Sequence, residues 1–262
     1  MLMEQKPMII GAVHLPLYGA WDPRRSIGEI EEYVLANCGV FYNNGIRALY
    51  IQDENPETGP AAPETIALLS SLGRLLKKEY PELELGIVVE AHDPKASMAI
   101  ATACGASFVR IKVFVGAMYK NAGILQGCGI ETAKYRVALG SGVKIFADIH
   151  DRCGYPMQPQ VPVEFDAQWA VRAGADALIL TGMTYRQSLE YLDVCRNSGI
   201  RVPMVMGGSV TAENIREVLD HCQGAVVSSS LMLDAVPQGS LIRWDGKKIR
   251  RFMDIAEGKA VE

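Results

Sequence analysis

Three pairs of polar side chains stand two residues apart inside otherwise apolar runs. They are Glu90 and His92 in I-V-V-E-A-H-D, Arg110 and Lys112 in V-R-I-K-V, and Asp148 and His150 in K-I-F-A-D-I-H. Residues two apart on a strand share a face. Each pair is therefore expected to face one way while Val109, Ile111, Val113, Ile145, Ala147 and Ile149 face the other. Charge on an inward strand face is costly unless it is paired or used, and three uses are open. Asp148, His150 or Glu90 could move protons beside a carbonyl or hydroxyl. A divalent metal such as zinc or manganese could sit among Glu90, His92, Asp148 and His150, with Asp53 nearby, so that His92, Asp148 and His150 are the candidate metal ligands. Lys112 and Arg110 could instead neutralise Glu90 and Asp148 in an ion-pair network. Lys112 could also form a Schiff base with a carbonyl substrate. The catalytic candidates are thus Glu90, Lys112, Asp148 and His150, with His14 and Asp53 standing just after the first and second strands. Tyr119 and Lys120 lie in a Gly-rich stretch within reach of a substrate, and Trp21, Tyr155 and Met157 could form an apolar lid. His221, at a helix end, reads as structural.

A second constellation suits an anion. One strand runs into M-G-G-S-V-T-A-E-N-I, with Gly207, Gly208 and Ser209, and the next into V-V-S-S-S-L, with Ser228, Ser229 and Ser230. Adjacent glycines let backbone N–H groups approach a phosphate, serine hydroxyls add donors, and a helix N-terminus following at Thr211 would add a favourable dipole. Gly207, Gly208, Ser209, Ser229 and Ser230 are the candidate phosphate ligands. The plainer alternative is a tight turn at Gly207–Gly208 and a helix cap at Thr211.

The elements that must carry these residues follow from a repeated joint, in which a helical pattern ends, a glycine follows and a β-branched run begins. It occurs at Gly45, Gly105, Gly142, Gly174, Gly199 and Gly224, the later ones at roughly 25–37-residue intervals, the length of a βα unit. Strands are predicted near Met8–Val13, Ile46–Gln52, Leu85–Glu90, Phe108–Val113, Lys144–Ile149, Ala177–Leu180, Pro203–Met206 and Ala225–Ser228. Helices are predicted between them, for example over Ile27–Asn43, Pro63–Lys78 and Thr211–His221. Strand–helix alternation argues for a parallel sheet. Eight repeats argue for closure, so the expected fold is α/β, a single-domain (β/α)8 TIM barrel over residues 1–262; an open doubly wound sheet is the competitor. The phosphate motifs then end the seventh and eighth strands, where barrels often hold phosphate. Three long loops, Leu15–Arg25, Phe114–Ile130 and Asp151–Pro162, would lie on the same C-terminal face. The helices' apolar residues would all be consumed by the barrel wall, leaving no evident face for a homo-oligomer, although barrels of this size commonly pair.

A length of 262 residues and 49% hydrophobic content suit one large core. The net charge of -4 offers no basic surface for nucleic acid. No apolar run approaches a membrane span, and the opening MLMEQKPMII lacks a signal-peptide layout. The six cysteines, Cys38, Cys104, Cys128, Cys153, Cys195 and Cys222, include no C-x-x-C pair, which suits a reduced, cytoplasmic protein.

H-L-P-L-Y-G from His14, N-A-G-I-L-Q-G-C-G-I-E-T-A-K-Y-R from Asn121, A-D-I-H from Ala147 and M-G-G-S-V-T-A-E-N-I from Met206 together resemble the BtpA/SgcQ family, in order and spacing along nearly the whole chain. The resemblance implies a phosphate-binding (β/α)8 barrel. One branch of the family is named for a part in photosystem I biogenesis and another is associated with sugar-utilisation genes. This chain departs from the usual pattern at the strand ends, with Y-I-Q-D-E-N-P after strand two, Glu90-Ala91-His92 after strand three and Lys112 at the end of strand four. The leading expectation is an enzyme of isomerase, epimerase or lyase type acting on a phosphorylated sugar or similar small metabolite, with a divalent metal ion as the candidate cofactor. The alternatives are a non-catalytic assembly factor and a nucleosidase-like enzyme that cleaves a ribosyl bond.

Overall fold

The computed structural model describes residues 6–259. The first five residues of the opening segment therefore lie outside it. Eight parallel strands close into a barrel in the order β1 (Met8–His14), β11 (Gly224–Val227), β10 (Met204–Gly207), β9 (Ala177–Leu180), β7 (Lys144–Ile149), β4 (Phe108–Ile111), β3 (Glu84–Val88) and β2 (Ala48–Gln52), which pairs back onto β1. The helices are α1 (Ile27–Asn43), α2 (Pro63–Glu79), α3 (Pro94–Cys104), α4 (Gly129–Ala138), α5 (Val163–Arg172), α6 (Tyr185–Asn197), α7 (Ile215–His221) and α8 (Gly246–Ala256). The fold is thus the expected (β/α)8 barrel, and its seventh and eighth strands are β10 and β11.

Local chemistry sets the helix starts. Ser26 and Glu29 exchange hydrogen bonds as a capping box ahead of α1. Pro63 and Pro94 open α2 and α3, where the missing N–H costs nothing. Strand alternation divides the core in two. One set of side chains packs against the helices, among them Ile9, Leu49, Ile87, Ile145 and Leu178. The other fills the barrel: Ile10, Ala12, Tyr50, Val88, Phe108, Phe146, Ala177, Ile179, Val205 and Val226. Phe108 and Phe146 stack there with ring centroids 4.6 Å apart.

Several boundaries differ from expectation. β3 ends at Val88 and β4 at Ile111, so Glu90 and Lys112 follow their strands instead of ending them. The stretches expected as loops over Phe114–Ile130 and Asp151–Pro162 build a second sheet. In it β5 (Ala117–Lys120) pairs antiparallel with both β6 (Gly123–Gln126) and β8 (Gly154–Pro156). Its short strands alternate buried Met118 and Lys120 with exposed Tyr119, a pattern too brief to rank as strand beside its glycines. α7 starts at Ile215, four residues later than expected, because Thr211–Asn214 form a turn in which Asn214 Oδ1 accepts the Thr211 N–H at 2.8 Å. The expectation that every helix spends its apolar face on the barrel fails at α4 and α5. Ile130, Val137, Phe165 and Trp169 are exposed, and a groove of about 1190 Å³ separates the two helices. Among the described residues no helix is long and apolar enough to cross a membrane.

Candidate active site

The inner core predicts the layer above it. Two residues beyond Ala12, Tyr50, Val88, Phe108, Phe146, Ile179, Val205 and Val226 stand His14, Gln52, Glu90, Arg110, Asp148, Thr181, Gly207 and Ser228, one from each barrel strand or its first following residues. All of these except Asp148 line one cavity of about 430 Å³ at the C-terminal mouth. Also lining it are Glu54, Lys112, Lys120, Asn121, Asp151, Arg152, Cys153, Gly208, Ser209, Ser229 and Ser230.

On one wall the candidate phosphate ligands come together. Gly208 and Ser209 both take positive φ, 77° and 57°. Two successive residues in this region curl the backbone so that consecutive N–H groups can converge on an anion. Among the described residues, the N–H groups of Gly208, Ser209, Ser229 and Ser230 enter none of the protein's hydrogen bonds. Arg152 lies over this turn, its Nη1 donating to Ser209 Oγ at 2.5 Å. A Cβ on Gly208 would meet its guanidinium, and a Cβ on Gly207 would meet Thr181 Oγ1. Ser230 Oγ donates to the Val210 carbonyl at 2.7 Å and Ser228 Oγ to the Ala12 carbonyl at 2.9 Å, fixing the serine loop to its neighbours. The dipole expected from a helix at Thr211 is not part of the cradle, since α7 begins later and is only seven residues long.

On the facing wall the side chains form one hydrogen-bonded chain. Glu54 Oε1 accepts from His14 Nδ1 at 2.5 Å and from Gln52 Nε2 at 2.9 Å. Gln52 Nε2 also reaches Glu90 Oε2 at 3.2 Å, and Glu90 Oε2 pairs with Lys112 Nζ at 2.5 Å. Burial works against the Lys112 charge, but Glu90 outweighs it and holds the ammonium above its usual range. A Schiff-base lysine needs the opposite shift. Burial likewise works against the Glu54 carboxylate, and His14 outweighs it, leaving that carboxyl below its usual range. Asp53 stands behind the wall, fully buried, its Oδ1 accepting the Glu90 N–H at 2.9 Å and its Oδ2 without a partner. Burial pushes its carboxyl up to about 7.

Two further ion pairs close the floor and side. Arg110 grips Asp148 with two prongs at 2.9 and 2.8 Å and donates to the Tyr50 hydroxyl at 2.6 Å. Burial drives the Asp148 carboxyl upward and the guanidinium opposes it; a grip that needs two acceptor oxygens is that of an ion pair. Both Asp148 oxygens are therefore occupied, and this residue acts on the cavity through Arg110. Lys120, carried in by β5, pairs with Asp151 at 2.6 Å. Burial raises the Asp151 carboxyl, but the Cys153 N–H and the Lys120 ammonium outweigh it and bring it to about 2.

The two histidines expected to face inward with Glu90 and Asp148 do not line this cavity. His92 and His150 take φ of 58° and 65°, leaving the strand conformation just where alternation would have turned them inward. His92 Nε2 donates to the Gln126 carbonyl at 2.9 Å, and burial, the main cause, holds the ring below its usual range. His150 Nε2 meets Asp166 of α5 at 3.0 Å, its ring edge-on to Tyr191. It opens onto a separate chamber of about 280 Å³ beneath β5 and β8, which Lys112 and Asp148 also reach. The expected metal set of His92, Asp148 and His150 is accordingly not assembled. Among the described residues no three His, Cys, Asp or Glu side chains gather to hold a metal ion.

The whole chain can now be placed. Residues 4–258 match the model of the BtpA family. The chain belongs to the BtpA family. It is 30% identical over 230 residues to the photosystem I biogenesis protein BtpA of Synechocystis, covering 85% of this chain and 79% of that one. An uncharacterised protein of Pyrococcus abyssi is 29% identical over 231 residues, covering 87% and 88%. Among solved structures, native KDPGal superposes with a TM-score of 0.63 at 16% identity over 97% of each chain. Phosphoribosyl anthranilate isomerase from Thermococcus kodakaraensis gives 0.54 at 14% identity over 95% and 98%. These two likenesses carry the barrel fold alone.

In this BtpA-family chain, reading strands pairwise missed the most telling members of the site. That reading singles out His14 but not its partners Gln52 and Glu54; Gln52 stands in register with His14 and Glu90, a signal available by counting two residues on from each inner apolar residue. Arg152 leaves no such trace: it follows A-D-I-H in a loop, and only the fold brings it to Ser209.

Proposed function

We propose that this protein is an enzyme acting on a phosphorylated sugar or a similarly small phosphorylated metabolite, by proton transfer of the isomerase, epimerase or lyase kind. One observation carries the reading. In the closed strand order β10 is four places from β3, and β11 four places from β4. The free N–H groups and Arg152 therefore face Glu90 and Lys112 across a single cavity. A phosphate anchored on Gly208, Ser209, Ser229, Ser230 and Arg152 extends the rest of the molecule toward the facing pair. Binding energy drawn from that remote group can then orient the reacting carbon.

Glu90 is the base of this scheme. It takes the proton from a carbon next to a carbonyl or hydroxyl, and the Lys112 ammonium stands beside the oxygen on which negative charge develops. Gln52 and Glu54 fix Glu90 from the other side and link it to His14, whose second ring nitrogen is a further proton carrier at the rim. Asp53 and Asp148 position Glu90 and Arg110. The scheme is tested in deuterium oxide with a panel of phosphorylated aldoses and ketoses. At least one compound is expected to gain deuterium at a carbon beside its carbonyl, and Glu90→Gln to slow that exchange by about 10²–10⁴-fold. No exchange with any member, together with full biological activity of Glu90→Gln in cells, favours the non-catalytic assembly reading.

A further inference from the structure

We infer that the substrate carries one anionic group only, its phosphate, on an uncharged hydroxylated body. This rests on the phosphate-site reading above and narrows it. Four fixed cations line the cavity: Arg110, Lys112, Lys120 and Arg152. Three are already matched by a carboxylate at contact distance, Asp148 at 2.8 Å, Glu90 at 2.5 Å and Asp151 at 2.6 Å. The first and third pairs are well sheltered, with side-chain exposures of 12% and 0% and of 5% and 11%. Arg152 differs. Its partner is the Ser209 hydroxyl, and among the described residues it forms no ion pair.

The unmatched positive charge thus sits on the turn with the free N–H groups. A second phosphate or a carboxylate elsewhere in the cavity would find each remaining cation occupied and would lie against Glu54, Glu90 or Asp151. Displacing one of these partners leaves a carboxylate unpaired in a poorly hydrated place, which binding does not repay. Those same carboxylates, with Gln52, Asn121, Thr181 and the Tyr50 hydroxyl, suit sugar hydroxyls. A carboxylate accepts from an O–H without requiring a charge on the ligand. Discrimination comes from repulsion of the wrong ligand as much as from attraction of the right one.

The test is a thermal-shift titration of the full chain with two matched pairs, glucose 6-phosphate against 6-phosphogluconate and fructose 6-phosphate against fructose 1,6-bisphosphate. The singly anionic member of each pair is expected to bind at least about tenfold more tightly. Glu90→Gln leaves Lys112 unpaired and is expected to shrink the preference to about threefold or less for one pair at least. Asp151→Asn does the same at Lys120 if the first variant does not fold. Equal or tighter binding of the doubly anionic compounds to the unaltered protein overturns the inference and leaves the phosphate site standing. A preference that survives in both variants also overturns it. If none of the four compounds shifts the melting temperature, the phosphate site itself falls and the inference with it.

Discussion

In the proposed scheme the chemistry turns on one glutamate, Glu90, placed by three direct neighbours. Lys112 and Gln52 hold the Glu90 carboxylate, Asp53 takes its backbone N–H, and Gln52 ties it to Glu54. Asp53 has a measurable signature of its own. Its folded value near 7 lies above the ordinary 3.8, so the folded state binds this proton more tightly than the unfolded chain does. The resulting stabilisation is fully present below about pH 4 and is lost as pH rises through about 7. The unaltered protein is therefore expected to lose melting temperature relative to Asp53→Asn between about pH 5 and about pH 8, by on the order of 5 °C. Parallel profiles would mean that Asp53 is ionised at no cost and is not the buried acid described. At this scale the sequence was partly legible. E-x-H, R-x-K and D-x-H marked the right strand ends, and Glu90, Arg110, Lys112 and Asp148 do meet in two ion pairs. Alternation misplaced His92 and His150, because it holds only while the backbone stays extended and both residues lie where the strand has given way to a positive φ.

At the scale of elements, the proposed phosphate cradle depends on two loops with different devices. The β10 loop uses backbone conformation, with Gly208 at φ 77° followed by Ser209 at φ 57°. The β11 loop instead uses serine hydroxyls hydrogen-bonded to the backbone carbonyls of Ala12 and Val210. Alanine at position 208 would strain a left-handed residue and press a methyl group on the Arg152 guanidinium. Arg152 is exposed and can move, so the fold tolerates the change better than the site does. Gly208→Ala is expected to cost about 1 kcal/mol of stability while weakening sugar-phosphate binding by about tenfold or more. A variant whose unfolding free energy drops but whose affinity holds would show the turn to be structural only. The glycine and serine motifs were readable because each closes a β-branched run. The β5–β6–β8 sheet was not, since its three-to-four-residue strands sit among glycines, and with it went the arrival of Lys120 at the mouth.

For the whole molecule, closure does what no local motif can. A ring of eight strands brings the ends of β10 and β11 opposite those of β3 and β4, although about 100 residues of chain separate Lys112 from Gly208. Six glycine joints, each followed by a strand-like run, made that ring legible. The distribution of side chains outside it was less so, as the exposed Ile130, Val137, Phe165 and Trp169 on α4 and α5 demonstrate. The most direct measurement is a crystal structure of the protein with a bound sugar phosphate. The expected result is a phosphate oxygen within about 2.7–3.2 Å of the N–H groups of Gly208, Ser209, Ser229 and Ser230, with Arg152 folded over it and the sugar's carbonyl end beside Glu90 and Lys112. A phosphate bound elsewhere, with that turn still vacant and the sugar away from Glu90, would contradict the account.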